Sequence, residues 1–171
     1  MKRNLTTLTA CAAALLAMSA CRSRTAADLP PEPPSSSIPG DQDGNVSGAV
    51  VPGSRADFIQ SVPADRVFFE TDSYSLDGED RATLDAQVVW LQRYPNVRVT
   101  VEGHADERGT REYNLALGDR RANAARDYLQ SRGIDPARMQ TISYGKERPA
   151  VEGSSEAVWA QNRRAVTVVP E

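Results

Sequence analysis

The sequence predicts a two-layer α+β or α/β sandwich, with helices packed on a mixed sheet of about four strands, behind a long lead without periodicity. Three observations predict it. Val97, Val99 and Val101 alternate with Arg98, Thr100 and Glu102, which is the period of a half-buried strand. Two longer segments repeat apolar residues at helical spacing instead. Short runs rich in β-branched or aromatic residues flank these segments, giving the order β-α-β-α-β-(α)-β.

Val67-Phe68-Phe69 reads as the first strand. The helix that follows, Leu76 to Tyr94, carries Leu84, Val88 and Leu91 on one side and stops at Pro95. The alternating strand from Val97 to Gly103 runs into the loop His104-Ala105-Asp106-Glu107-Arg108-Gly109. Thr110 is placed to cap a helix that runs to about Arg132, with Gly133 at its C-terminal end. Met139 to Tyr144 reads as a third strand, Glu156 to Asn162 as a short helix, and Ala165 to Val169 as the last strand.

The lead divides in two. Residues 1–21 have a positive start at Lys2 and Arg3, then 14 apolar or small residues from Leu5 to Met18, then Ser19-Ala20-Cys21. That is the layout of a secretory signal, and the run falls short of the ~20 residues that span a bilayer. Cys21 after small residues resembles a bacterial lipoprotein processing site, where the thiol is lipidated. The competing reading is ordinary cleavage nearby, for example after Ala27, giving a soluble periplasmic protein. Cys11 leaves with the signal, so Cys21 has no partner for a disulfide. Arg22, rather than Asp, follows it, which favours the outer membrane. Residues 22–61, with Pro30, Pro31, Pro33, Pro34, Pro39 and Pro52 among Ser, Gly and Asp, read as a flexible linker. Residues 62–171 are left as the single domain. A formal charge of -3 excludes a polyanion-binding chain as a whole.

On a helical wheel of the segment after Thr110, Arg120, Asn123, Arg126, Asp127 and Gln130 share a polar arc. Leu115, Leu117, Gly118, Ala122, Ala125, Tyr128 and Leu129 share the opposite one, and Arg121 falls near its centre, close to Asn114. A guanidinium aimed at a core is costly unless paired. Arg121 therefore either meets an internal carboxylate or lines a pocket that meets an external one; Asp106 and Asp72, both in loops after strands, supply carboxylates.

Val101-Glu102-Gly103-His104-Ala105-Asp106-Glu107-Arg108-Gly109-Thr110, then Glu112-Tyr113-Asn114, Leu117-Gly118 and Arg120-Arg121-Ala122-Asn123-Ala124, resemble the OmpA-like domain in its peptidoglycan-associated lipoprotein version. Phe68 to Tyr74, Ser143 to Glu147 and Asn162-Arg163-Arg164 resemble it in the same order, so the likeness covers roughly Val67 to Val169. The resemblance implies a domain that grips the diaminopimelate of the peptidoglycan stem peptide, with Asp106 and Arg121 as the holding pair and Asp72, Asn114 and Leu117 as secondary contacts. A zwitterionic side-chain end suits one anion and one two-pronged cation. It also implies a place in the Tol-Pal system of envelope integrity and cell division, with the propeller protein TolB as a partner, and no cofactor.

Rival readings are weaker. His104 is the single histidine and the domain has no cysteine, too few ligands for zinc. No Gly-x-Ser-x-Gly turn is present, so a cell-wall hydrolase is not favoured and His104 reads as a hydrogen-bonded structural residue. Nothing before Arg66 supplies membrane strands for a barrel. A wall-binding module of another envelope machine is the remaining alternative. Cys21→Ser is expected to release the mature protein from membranes with its domain still folded; recovery of that variant with washed outer membranes would exclude the lipid anchor.

Overall fold

The computed structural model describes residues 50–171. The signal segment, Cys21 and residues 22–49 of the linker lie outside the described residues. Within them the order is α1 (Arg55–Ser61), β1 (Arg66–Phe68), α2 (Gly78–Arg93), β2 (Val99–His104), α3 (Arg111–Ser131), β3 (Met139–Gly145), α4 (Glu156–Asn162) and β4 (Arg164–Val168), with a single 3-10 turn at Pro136–Arg138 before β3.

The sheet order is β1-β4-β2-β3. β2 and β3 are parallel, joined by α3 as their crossover, while β4 runs antiparallel to both β1 and β2. The sheet is therefore mixed, and its last strand is inserted at the centre. Val67, Val99, Val101 and Ala165 point to the helical layer and join Leu84, Val88, Leu91, Ala122, Ala125 and Leu129 in one core. Polar groups fix the register as well. Buried Gln87 of α2 accepts from Thr167 Oγ1 at 2.7 Å and donates to the Ala64 carbonyl at 3.0 Å, so it ties α2 to β4 and to the entry of β1.

The helix ends follow from their residues. Asp77 and Asp80 form a capping box at the start of α2. Asp80 also accepts the Phe68 N–H at 3.1 Å, and burial pushes its carboxyl above the usual range. Thr110 caps α3 by accepting from the Tyr113 N–H. At the other end Gly133 adopts φ +94°, with Gly133 N–H bonded to Gln130 and Ile134 N–H to Leu129, the pairing of a Schellman motif. Arg138 then closes α2 from a distance, donating to the carbonyls of Leu91, Tyr94 and Val97 at 2.8–3.0 Å.

One close approach positions the site. A Cβ on Gly103 would lie 1.8 Å from the Gly118 carbonyl oxygen, and one on Gly118 would lie 2.4 Å from Ser143 Oγ. Backbone of α3 thus rests directly on the C-terminal end of β2, a contact only two glycines allow. The first half of α3 is thereby pressed against the loop that leaves β2.

The linker boundary moves. Residues 54–61 show no run of periodicity and read as the end of the flexible linker, yet α1 forms there. Ser54 caps it, Asp57 accepts from Gly53 N–H at 2.8 Å and Trp90 Nε1 at 3.1 Å, and Phe58, 1% exposed, packs edge-on against Trp90 with ring centroids 4.9 Å apart. A seven-residue helix with one buried residue is too short for a periodic signal; tertiary contact with α2 stabilises it.

His104 also differs from expectation. Its ring is 2% exposed and neither nitrogen has a hydrogen-bond partner; Glu102 Oε2 lies 3.6 Å from Nε2, and the ring stacks beside Tyr144 at 5.6 Å. Burial, reinforced by nearby Arg164, holds its pKa down from 6.5 to about 4. Its ring packs, and its carbonyl is the part that bonds.

Phe58→Ala is expected to destabilise the protein by about 3–5 kcal/mol through the cavity left against Trp90, measured by denaturant unfolding; an unchanged midpoint would return α1 to the linker. His104 binds a proton less readily folded than unfolded, so its contribution is full above pH 6.5 and is lost as pH falls toward about 4. His104→Phe is expected to flatten that slope, read from unfolding midpoints across the window.

Candidate functional site

Three segments converge where β1 and β2 end. The loop after β1 brings Thr71 and Asp72, the loop after β2 brings Asp106, Arg108 and Gly109, and the first three turns of α3 bring Tyr113, Asn114, Leu117 and Arg121. Together they line a cavity of about 270 Å³. All five residues singled out from the sequence, Asp106, Arg121, Asp72, Asn114 and Leu117, are on its wall.

Arg121 is fully buried, at 0% exposure. Of the two alternatives read from the sequence, it does not meet an internal carboxylate, since none lies within ion-pair distance of it among the described residues; it lines the cavity instead. Its Nε donates to Ser73 O at 2.8 Å, Nη1 to His104 O at 2.9 Å and Nη2 to Glu70 O at 3.1 Å. Three main-chain carbonyls from both loops therefore solvate one guanidinium, whose plane also faces Phe69 at 5.3 Å. Burial lowers its pKa to about 10, with Asp106 opposing that shift, so it stays charged at neutral pH. Three of the five N–H groups of an arginine are used here, which leaves two uncommitted.

Asp106 is 8% exposed. Burial works to raise its pKa, but hydrogen bonds from Arg108 outweigh it and the carboxyl ends below its usual range. Oδ1 accepts from the Arg108 N–H at 3.1 Å and from Nε at 3.2 Å, and Oδ2 accepts from Nη2 at 2.7 Å. Arg163 Nη1 stands 3.7 Å from Oδ2 and 2.8 Å from Glu156. Asn114 is 2% exposed and donates to the Arg108 carbonyl at 2.7 Å, which fixes the loop from α3. Leu117 supplies an apolar wall. Asp72 is exposed, sits at φ +54° and accepts from Tyr113 OH at 3.3 Å.

Sequence reasoning missed Arg108 and Arg163 as members of the site. Arg108 had a local signal, since Asp-x-Arg in a loop allows the aspartate to bond the backbone two residues on. Arg163 had none; its Nε reaches the Phe69 carbonyl across 94 positions of sequence. Asp72 and Asp106 against Arg108 and Arg121 give the cavity two negative and two positive groups, neutral in sum and separated in space. Such a lining suits a small ligand carrying both signs. Among the described residues no group of three or more His, Cys, Asp or Glu is arranged to hold a metal.

Comparison with known proteins gives the family. The model of the OmpA family matches residues 68–163. The peptidoglycan-associated lipoprotein of Rhizobium meliloti is 60% identical over 123 residues, covering 72% of this chain and 69% of its own. That of Haemophilus influenzae is 50% identical over 100 residues, 58% of this chain and 65% of its own. Among solved structures, the peptidoglycan-associated lipoprotein of Burkholderia pseudomallei superposes with a TM-score of 0.61 at 44% identity, over 62% of this chain and 90% of that one. The C-terminal domain of Helicobacter pylori MotB, at 21% identity and a TM-score of 0.58 over 63% of this chain and 84% of that one, shares the fold. The chain belongs to the OmpA family and, within it, to the peptidoglycan-associated lipoproteins.

Proposed function

We propose that the chain is a lipoprotein anchored in the outer membrane at Cys21, and that its folded unit holds the peptidoglycan non-covalently by the diaminopimelate of the stem peptide. It is a binding protein rather than an enzyme, and it works within the Tol-Pal system with TolB as a partner. The relatives' names support the association with peptidoglycan and the lipid anchor. One observation carries the choice of ligand group: a buried carboxylate, Asp106, and a fully buried guanidinium, Arg121, line the same small cavity.

In this reading the ammonium at the side-chain end of diaminopimelate meets Asp106 and the carboxylate meets the two remaining N–H groups of Arg121. Both protein groups are desolvated already, so a ligand that matches them gains charge-assisted hydrogen bonds without exposing either. Leu117 packs on the methylene chain between the ligand's two ends. Asp72, exposed at the rim, attracts the ammonium on entry.

Asp106→Asn is expected to weaken binding to purified wall sacculi by about 30-fold or more, since a desolvated charge partner is worth ~2–5 kcal/mol. It should stay folded with a modest fall in melting temperature, because the amide oxygen keeps one side of the Arg108 contact while the amide nitrogen, a donor, loses the other. Arg121→Ala is expected to lose binding and about 3 kcal/mol or more of stability, since three carbonyls lose a buried donor. Competition with free diaminopimelate peptide is the control. Normal sacculus binding by folded Asp106→Asn removes Asp106 from the site.

A further inference from the structure

The carboxylate assigned to the ligand's ammonium is already occupied. Arg108 reaches both Asp106 oxygens, Nη2 at 2.7 Å and Nε at 3.2 Å. Yet Arg108 differs from Arg121 in how it is held. Its side chain is 39% exposed, it lies over the Trp159 ring at 4.1 Å, and its other polar contacts are Thr71 Oγ1 at 3.3 Å and Glu156 at 3.9 Å. Arg121 is fixed by three carbonyls from two loops, whereas Arg108 rests on an aromatic face from which its head can shift while its stem stays in place.

We propose that Arg108 determines the specificity of the cavity: it stands in for the ligand's ammonium at Asp106 in the free protein, and moves onto the ligand's carboxylate when the ammonium takes Asp106. The inference rests on the diaminopimelate reading above. An ammonium that enters alone separates Arg108 from its one close carboxylate and leaves it facing only the exposed carboxylates of Glu156 and Asp72. It also adds a cation to a space that already holds Arg108 and Arg121, with Arg163 3.7 Å from Asp106. A ligand that carries a carboxylate beside the ammonium gives Arg108 a new partner, and the charge in the cavity stays balanced. Arg121 cannot make this distinction by moving, because its hydrogen bonds hold it whether or not ligand is present.

The discrimination is therefore between diaminopimelate and lysine, which share the ammonium and differ by the carboxylate beside it. The test is calorimetric titration of the full chain with two stem tripeptides that differ only in diaminopimelate or lysine at the third position. Wild type, Arg108→Ala and Arg108→Lys are compared, with melting curves to confirm folding. Arg108→Ala is expected to bind the diaminopimelate peptide about tenfold or more weakly, the loss of one charge-assisted contact. It is expected to bind the lysine peptide as well as wild type or better, so the preference collapses. Arg108→Lys keeps the charge without the fork and retains part of that preference. Equal weakening for both peptides, or an unchanged ratio, would show that Arg108 only shapes the loop and overturns the proposal. Wild type that ignores the diaminopimelate peptide overturns the underlying reading, and the exchange falls with it.

Discussion

The burial of one guanidinium organises this domain. Arg121 sits at the apolar centre of α3, where a charge without partners would cost several kcal/mol. It is tolerated because three main-chain carbonyls, Glu70 and Ser73 after β1 and His104 at the end of β2, point at it. The dependence runs both ways. Two of those carbonyls, Glu70 and Ser73, belong to the loop after β1, and Arg121 ties that loop to the end of β2. The wall of the cavity and the fold around it are thus one hydrogen-bonded unit.

That arrangement needs α3 at the right height, and the glycine contact sets it. With Gly118 on Gly103, the helix lies close enough to β2 for Arg121 to reach both loops and for Asn114 to hold the Arg108 carbonyl. Any side chain at either position would push the helix away and stretch those bonds together. Arginine plays the same part elsewhere: Arg138 closes the end of α2, and Arg163 joins the chain before β4 to the Phe69 carbonyl. A forked side chain that reaches several carbonyls does the work of a cap where the chain turns without one. The cavity then differs from these purely structural uses in one respect, namely that two of its other charged groups, buried Asp106 and partly exposed Arg108, satisfy each other beside it.

The sequence by itself determined most of the elements and singled out residues that share one cavity. Alternation at Val97 to Val101, caps at Thr110 and Gly133 and the helical repeat after Thr110 are local signals, set within a few residues by pleat, cap and turn. Arg121 stood out for the same reason, as a charge breaking an apolar arc, and all five site residues read from the family motifs do share one cavity. What the tertiary structure decided was everything that depends on distant partners. α1 is helical because Phe58 meets Trp90, 32 positions away, and no window around it carries that information. β4 enters the middle of the sheet, a pairing its own five residues do not encode. His104 keeps its ring dry, and Arg121 finds carbonyls instead of a carboxylate. Periodicity reports which face of an element is buried, whereas the partner met there is chosen by the packing of segments far apart in the chain.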